Sequence, residues 1–326
     1  MKKRQVLRIL GAAVAMLALL SPAHAQEDSY PDKPIRVVFP YPAGSALEVV
    51  GRLVSERAAR LLGQPVVFEN KAGANGILGT AQVARARPDG YTLALTTTSA
   101  LLLNSVQRKD LPYDPVRSFT PVIAVADIPV GLIVSTRLPV TNVRALVEHL
   151  KKQPGQPYAS VGIGSFNHLL MEQFKKVAGV DMLHVPYQGA APILPELLSG
   201  RVDVTVLSVG SVLGQWKAGQ VRVLAFMSDK RLPSQPDVPT MSEAFPAFQP
   251  FGNWMGFVAP AGTPEPVVRK LNAAFAQALE LPEVRRRIEE EQWRVMGGSA
   301  QDLGRMIAND RPMVEAAVKA AGLKPE

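Results

Sequence analysis

Two residues invite a chemical reading first. Gly164-Ser165-Phe166-Asn167-His168 places a hydroxyl three positions before an imidazole, the ingredients of a nucleophile and its base. The flanking pattern is wrong for a nucleophile elbow, which needs G-x-S-x-G. Both groups would also share one helix start, where a base seldom lies across from the hydroxyl it must deprotonate. Ser165 reads more simply as an N-cap. His168 reads either as a support of the loop or as a ligand contact. A metal centre is not expected: His149, His168 and His184 lack i,i+4 spacing, and the chain has no cysteine. Gly73, Gly76 and Gly79 do not match G-x-G-x-x-G, and no acid stands at the ribose-binding offset. No cofactor is therefore expected. An exported serine hydrolase using Ser165 and His168 stays open as an alternative.

What remains is backbone chemistry. Ile35-Arg36-Val37-Val38-Phe39 is a β-branched run that reads as a buried strand. Pro40-Tyr41-Pro42-Ala43-Gly44-Ser45 cannot continue it. Leu47, Val50, Val54, Ala58 and Leu61 then recur at helical spacing, and Gly63 is a natural stop. Helix-start N–H groups have no partner inside the helix and favour negative charge. The reading is an anion-accepting cleft with this loop as one half. Tyr41, Tyr187 and Trp254 are candidate lining aromatics, with burial in the core as the competing role.

The elements that must position such loops follow in order. Residues 65–69 and 91–96 read as strands separated by a helix over 77–86, which predicts βαβαβ and a parallel sheet with helices on both faces. Ligands bind beyond the carboxyl ends of such strands, where the 42–45 loop and Thr97-Thr98-Ser99 lie. Asp127-Ile128-Pro129 interrupts two apolar runs and is a candidate hinge. The pattern then restarts: a strand at 158–161, a glycine loop at 162–168, a helix to 177, a strand and turn at 181–187, and a helix opening at Gln188-Gly189-Ala190-Ala191. Residues 202–207 and 221–227 read as further strands. Residues 252–260 read as a return crossing, with helices over 264–279, 282–291 and 300–321. The expected fold class is α/β: two lobes joined by two crossings, with a ligand cleft between them. The lobes are 26–127 plus 250–326, and 128–249, with hinges near 127–129 and 248–254.

Composition narrows the setting. Residues 1–25 combine a basic start, a short apolar run and Ser21-Pro22-Ala23-His24-Ala25, which reads as a cleavable secretory signal peptide. The apolar run falls short of the roughly 20 residues that span a bilayer. Net charge is +8 as written; without Lys2, Lys3, Arg4 and Arg8, 36 − 4 leaves 32 bases against 28 acids, or +4. That mild, scattered excess does not argue for nucleic acid. Without cysteine there is neither a disulfide nor a lipid-acceptor thiol. The expected product is a soluble periplasmic protein, monomeric and held together by its core.

Several stretches together carry a signature. They include residues 30–36, Pro42-Ala43-Gly44, residues 62–67, Glu69-Asn70-Lys71-Ala72-Gly73-Ala74 and residues 88–93. Leu111-Pro112-Tyr113-Asp114-Pro115, His184-Val185-Pro186-Tyr187, residues 198–203, residues 236–240 and residues 259–264 complete the set. The chain resembles the Bug family, the periplasmic receptors of tripartite tricarboxylate transporters. The resemblance implies a two-lobed Venus-flytrap of the type II periplasmic-binding-protein kind. Such a receptor holds a small carboxylate-bearing solute and delivers it to membrane permease subunits, without catalysis. A sensor partner of a membrane signalling protein is the alternative. The implied ligand loops are 39–45, 97–100, 160–168 and 187–190, acting through backbone N–H groups, hydroxyls and waters. The site residues expected from them are Tyr41, Ala43, Gly44, Ser45, Thr98, Ser99, Ser160, Gly164, Ser165, His168, Tyr187, Gly189 and Ala190. The family's first loop is usually glycine-rich, followed by a hydroxyl residue and an aspartate. Here it runs Gly44-Ser45-Ala46-Leu47-Glu48, which implies a ligand more apolar or aromatic at that end.

Overall fold

The structure, a computed structural model, describes residues 30–324; the expected signal peptide lies outside them. The chain begins with β1 (Ile35–Phe39), α1 (Ala46–Leu62), β2 (Val66–Asn70), α2 (Ile77–Ala84), β3 (Thr92–Thr97), α3 (Asn104–Gln107) and β4 (Phe119–Asp127). It then builds β5 (Val130–Ser135), α4 (Val143–Lys152), β6 (Gln156–Ser160), α5 (Phe166–Ala178) and β7 (Met182–Pro186). There follow α6 (Ile193–Ser199), β8 (Val204–Ser208), α7 (Leu213–Lys217), β9 (Val221–Phe226) and α8 (Met241–Ala244). It closes with β10 (Trp254–Pro260), α9 (Glu265–Glu280), α10 (Pro282–Glu290), β11 (Arg294–Gly297) and α11 (Ala300–Ala320).

These strands form two sheets, one ordered β11-β4-β10-β3-β1-β2 and the other β7-β6-β8-β5-β9. The chain changes sheet between Asp127 and Val130, and returns before Trp254. β1 is parallel to β2 and β3, as the βαβαβ pattern predicts. The full sheet is mixed, however, because β10 runs antiparallel to both β3 and β4, and β11 antiparallel to β4. The reason is topological. β4 leaves toward the second sheet, and β10 comes back from it, so the two must run in opposite directions. β11 is a further departure, a four-residue edge strand that no alternation in the sequence announces.

The same pairings orient every strand end. In the first sheet Thr97 lies beside Met255, which lies beside Ala126, so β3 and β1 point their carboxyl ends toward the crossing. In the second sheet Val130 opens β5 opposite Ser208, and β8 is parallel to β6, itself parallel to β7. β6, β7 and β8 therefore also end at the crossing. The loops after β1, β3, β6 and β7 all emerge along one seam between the sheets.

Helices form where periodicity and caps agree. α1 buries Val50, Val54, Ala58 and Leu62 on one face, a burial worth about 1.5–3 kcal/mol for each large aliphatic side chain. Ser45 caps its start, and Gly63 ends it at φ 71°. Asn142 caps α4. The core crosses the seam: Leu132 of β5 and Leu170 and Phe174 of α5 join Leu101, Trp254 of β10 and Ile307 of α11 in one apolar cluster. Trp254 is fully buried, and its indole N–H donates to Asp310 Oδ2 at 2.8 Å. Burial pushes the Asp310 carboxyl above the usual range despite that bond.

Replacing Trp254 by Phe removes the donor and leaves a buried carboxylate short of a partner. We expect a loss of about 1–3 kcal/mol, read as a lowered urea midpoint. Asp310→Asn, which keeps an acceptor for the indole, should cost less.

Candidate functional site

The first half of the site is the turn between β1 and α1. Two of its donors, the Gly44 and Glu48 N–H groups, are already engaged. The Gly44 N–H donates to Glu48 Oε2 at 2.7 Å, and Ser45 Oγ accepts from the Glu48 N–H at 3.2 Å. Arg52 Nε donates to Glu48 Oε1 at 2.7 Å, and its other arm reaches Asn70 Oδ1 at 2.9 Å. Asn70 Nδ2 closes the ring on Tyr41 O at 3.3 Å. Burial works against the Glu48 charge, but the Gly44 N–H and Arg52 outweigh it and hold the carboxyl below its ordinary range. The expectation of open N–H groups at this turn is therefore corrected at Gly44. The signal was present in the sequence: Ser45-Ala46-Leu47-Glu48 is an S-x-x-E pattern, with the carboxylate reaching one residue further back than a capping box.

Behind that turn, Tyr41 Oη and Thr97 Oγ1 are 2.8 Å apart, and the Ala100 N–H donates to Thr97 Oγ1 at 3.2 Å. Thr98 is fully buried. Its hydroxyl donates to Gly252 O at 2.8 Å and accepts from the Trp254 N–H at 3.0 Å, so it fastens the return crossing. Ala43 and Gly44 are exposed, and Ser45 and Ser99 are half-buried.

The second half comes from β6 and β7. Ser165 caps α5, its Oγ accepting from the His168 N–H at 3.2 Å. His168 Nδ1 accepts from the Gly164 N–H at 3.0 Å, and its Nε2 lies 3.9 Å from Glu172. The imidazole is thus turned away from the Ser165 hydroxyl, and the two do not form a nucleophile and base. A serine–histidine contact does exist elsewhere. Ser160 Oγ lies 2.6 Å from His184 Nε2, a pairing that sequence distance hides. Ser160 is fully buried and also donates to Gly162 O at 3.0 Å. With its proton directed there, the hydroxyl accepts from the imidazole.

His184 stacks on His168 with centroids 4.0 Å apart, and on Tyr158 at 4.9 Å. Tyr158 Oη donates to Glu172 at 2.6 Å, and Lys175 Nζ donates to the same carboxylate at 2.9 Å. This stack braces the 160–165 loop from behind. Burial is the main cause holding both imidazoles below ordinary histidine; His168 adds to it for His184, which is pushed down to about 4.

Tyr187 adjoins that loop, its N–H donating to Ser160 O at 2.9 Å. Gly189 follows at φ +93° with open space around its α-carbon, and Ala190 is exposed. The expected helix at 188–191 is a turn instead, and α6 begins at Ile193. The two halves meet where Gln107 Nε2 donates to Gly164 O at 2.5 Å across the seam. A cavity of about 370 Å³ opens beside this contact, lined by Asn75, Asn104, Gln107, Ile163 and Gly164. A second, of about 280 Å³, lies at the crossings among Asp127, Asp229, Asp310 and Arg294. No Lys or Arg occurs in the four loops, and among the described residues no group of three or more acidic, histidine or cysteine side chains could hold a metal.

The profile of the tripartite tricarboxylate transporter family receptor matches residues 50–323. The chain belongs to this receptor family. Solved structures of similar shape span nearly all of the described residues. One is R. palustris Rpa4515 with adipate, 33% identical, covering 91% of this chain and 100% of that one, TM-score 0.78. The periplasmic binding protein BugD is 34% identical, with 91% and 100% covered and a TM-score of 0.74. MatC from Rhodopseudomonas palustris with bound malate is 31% identical, with 89% and 100% covered and a TM-score of 0.73. The Bug-type receptor resemblance and the two-lobed α/β fold expected from the sequence both hold.

Tyr41, Thr98, Ser160, Gly164 and His168 thus hold the loops in place through internal bonds. Ala43, Ser45, Ser99, Ser165, Tyr187, Gly189 and Ala190 lie at the loop surfaces along the seam. The histidine stack has a pH signature. The His184 imidazole binds fewer protons folded than unfolded between about pH 6.5 and 4, and burial shifts His168 in the same direction. The contribution of His184 to stability is complete above 6.5 and lost as pH falls toward 4. Urea unfolding at pH 6.5 and 4.5 should show this decline, and His184→Phe should flatten it; an unchanged slope in the variant would refute the assignment.

Proposed function

We propose that this chain is a periplasmic receptor that encloses a small organic acid between its lobes and presents it to membrane permease subunits of a tripartite transporter. The lobes are 26–127 plus 250–326 and 128–249, following a signal peptide at 1–25. The observation that carries this reading is the common direction of the strand ends. Four loops rich in small residues and hydroxyls, two from each sheet, open on one seam, and the chain passes between the sheets at 127–130 and again before Trp254. Two family structures, with adipate and with malate, supply the class of ligand. Recognition in this chain rests on loop backbone and hydroxyls, since its loops carry no cationic side chain. Ser45, Ser99, Ser165, Tyr187, Gly189 and Ala190 are the proposed contacts.

The protein is a monomer that performs no catalysis. Ligand biases it toward a closed state through hinges near 127–129 and 248–254, because a ligand touching both lobes interacts more strongly with that state.

Purification without refolding, followed by native mass spectrometry, should reveal a co-purified organic acid. Adding that acid should raise the melting temperature in a concentration-dependent way. If no acid in a broad aliphatic and aromatic panel shifts the melting temperature, the reading fails. Gly189→Val forces a β-branched residue into a left-handed backbone and should weaken acid binding about tenfold or more while the far-ultraviolet circular dichroism stays unchanged.

A further inference from the structure

The α1 turn already holds a carboxylate, and that carboxylate belongs to the protein. Glu48 Oε2 takes the Gly44 N–H at 2.7 Å, and Oε1 takes Arg52 Nε at 2.7 Å. Arg52 is anchored in turn on Asn70, and Asn70 on Tyr41 O. Glu48 is 5% exposed, so this is a closed ring within the fold. A ligand carboxylate arriving here would meet a fixed negative group and a donor already engaged. Apart from the half-buried Ser45 and the exposed Gly44, whose N–H is taken, what the turn offers outward is hydrocarbon: exposed Pro42 and Ala43, half-buried Ala46 and Leu47.

Resting on the receptor reading above, we infer that the ligand presents an uncharged, apolar end to the first lobe: it is a monocarboxylate with an aliphatic or aromatic body. Its single carboxylate is then held by the hydroxyls and backbone of the remaining loops. Glu48 acts as the selectivity element, because it fills the place where the far carboxylate of a dicarboxylic acid would need a donor. Leu47 and Ala46 supply the surface against which the apolar end packs.

The test is calorimetry on the full chain with matched acids, hexanoate against adipate and benzoate against terephthalate, extended to other mono- and dicarboxylic acids of four to eight carbons. The monocarboxylates should bind at least about tenfold tighter than their dicarboxylic partners. Glu48→Ala frees the Gly44 N–H and the Arg52 guanidinium, and should raise adipate affinity about tenfold or more. Glu48→Gln removes the charge with least disturbance to packing, and should shift the preference in the same direction by less. The inference is overturned if dicarboxylates bind wild type more tightly, or if both variants bind adipate no better than wild type. In either case the receptor reading stands. Absence of binding by every acid tested removes that reading as well.

Discussion

The two crossings are bonded to each other, and the rest of the architecture follows from that tie. The Ile128 N–H donates to Asn253 O at 2.7 Å, and Asn253 Nδ2 donates back to Ile128 O at 3.0 Å. The backbone groups of Ile128 and the Asn253 carbonyl, at the place where the chain leaves both sheets, are therefore satisfied locally, as buried amides must be. Thr98 adds a second fastening on the return segment. Once the exit and return are held side by side, β4 and β10 must be antiparallel. The direction of every other strand, and so the position of every loop, is set by its pairing to these two.

The loops themselves are organised at one remove from the seam. Their most conspicuous polar residues do not face outward. Thr98 and Ser160 are fully buried, His168 nearly so, and each binds backbone within its own loop or a neighbouring segment. These residues shape a surface whose exposed part is main chain, small side chains such as Ala43 and Ala190, and the uncharged side chains of Pro42, Ile163 and Gln188. Such a surface favours a ligand read by hydrogen-bond geometry and shape over one captured by a charged clamp. Gly164 shows how tight the arrangement is. It sits at φ +71°, and a Cβ there would lie 2.8 Å from the Gln107 side-chain nitrogen that bridges the lobes.

Local features were legible in the sequence. The strand–turn–helix from Ile35 to Leu62 and the Ser165 cap both follow from short-range pattern. Non-local features were not. The antiparallel entry of β10 depends on where the chain has been for the preceding hundred or so residues, and β11 is too short to alternate. The Ser160–His184 contact joins strands that pair only in three dimensions. Glu48 is the instructive case. Its S-x-x-E pattern was visible, yet as a departure from a glycine-rich family loop it reads first as a loss of donors. The structure shows a gain of an acceptor that occupies the donor left.

The side-by-side crossing also limits how the two lobes can move. Neighbouring extended segments joined by hydrogen bonds twist about their common axis at small cost, but sliding one along the other breaks the bonds in succession. The connection therefore behaves as the spine of a book. A rotation about that spine changes the angle between the covers and leaves the alignment of the pages unchanged.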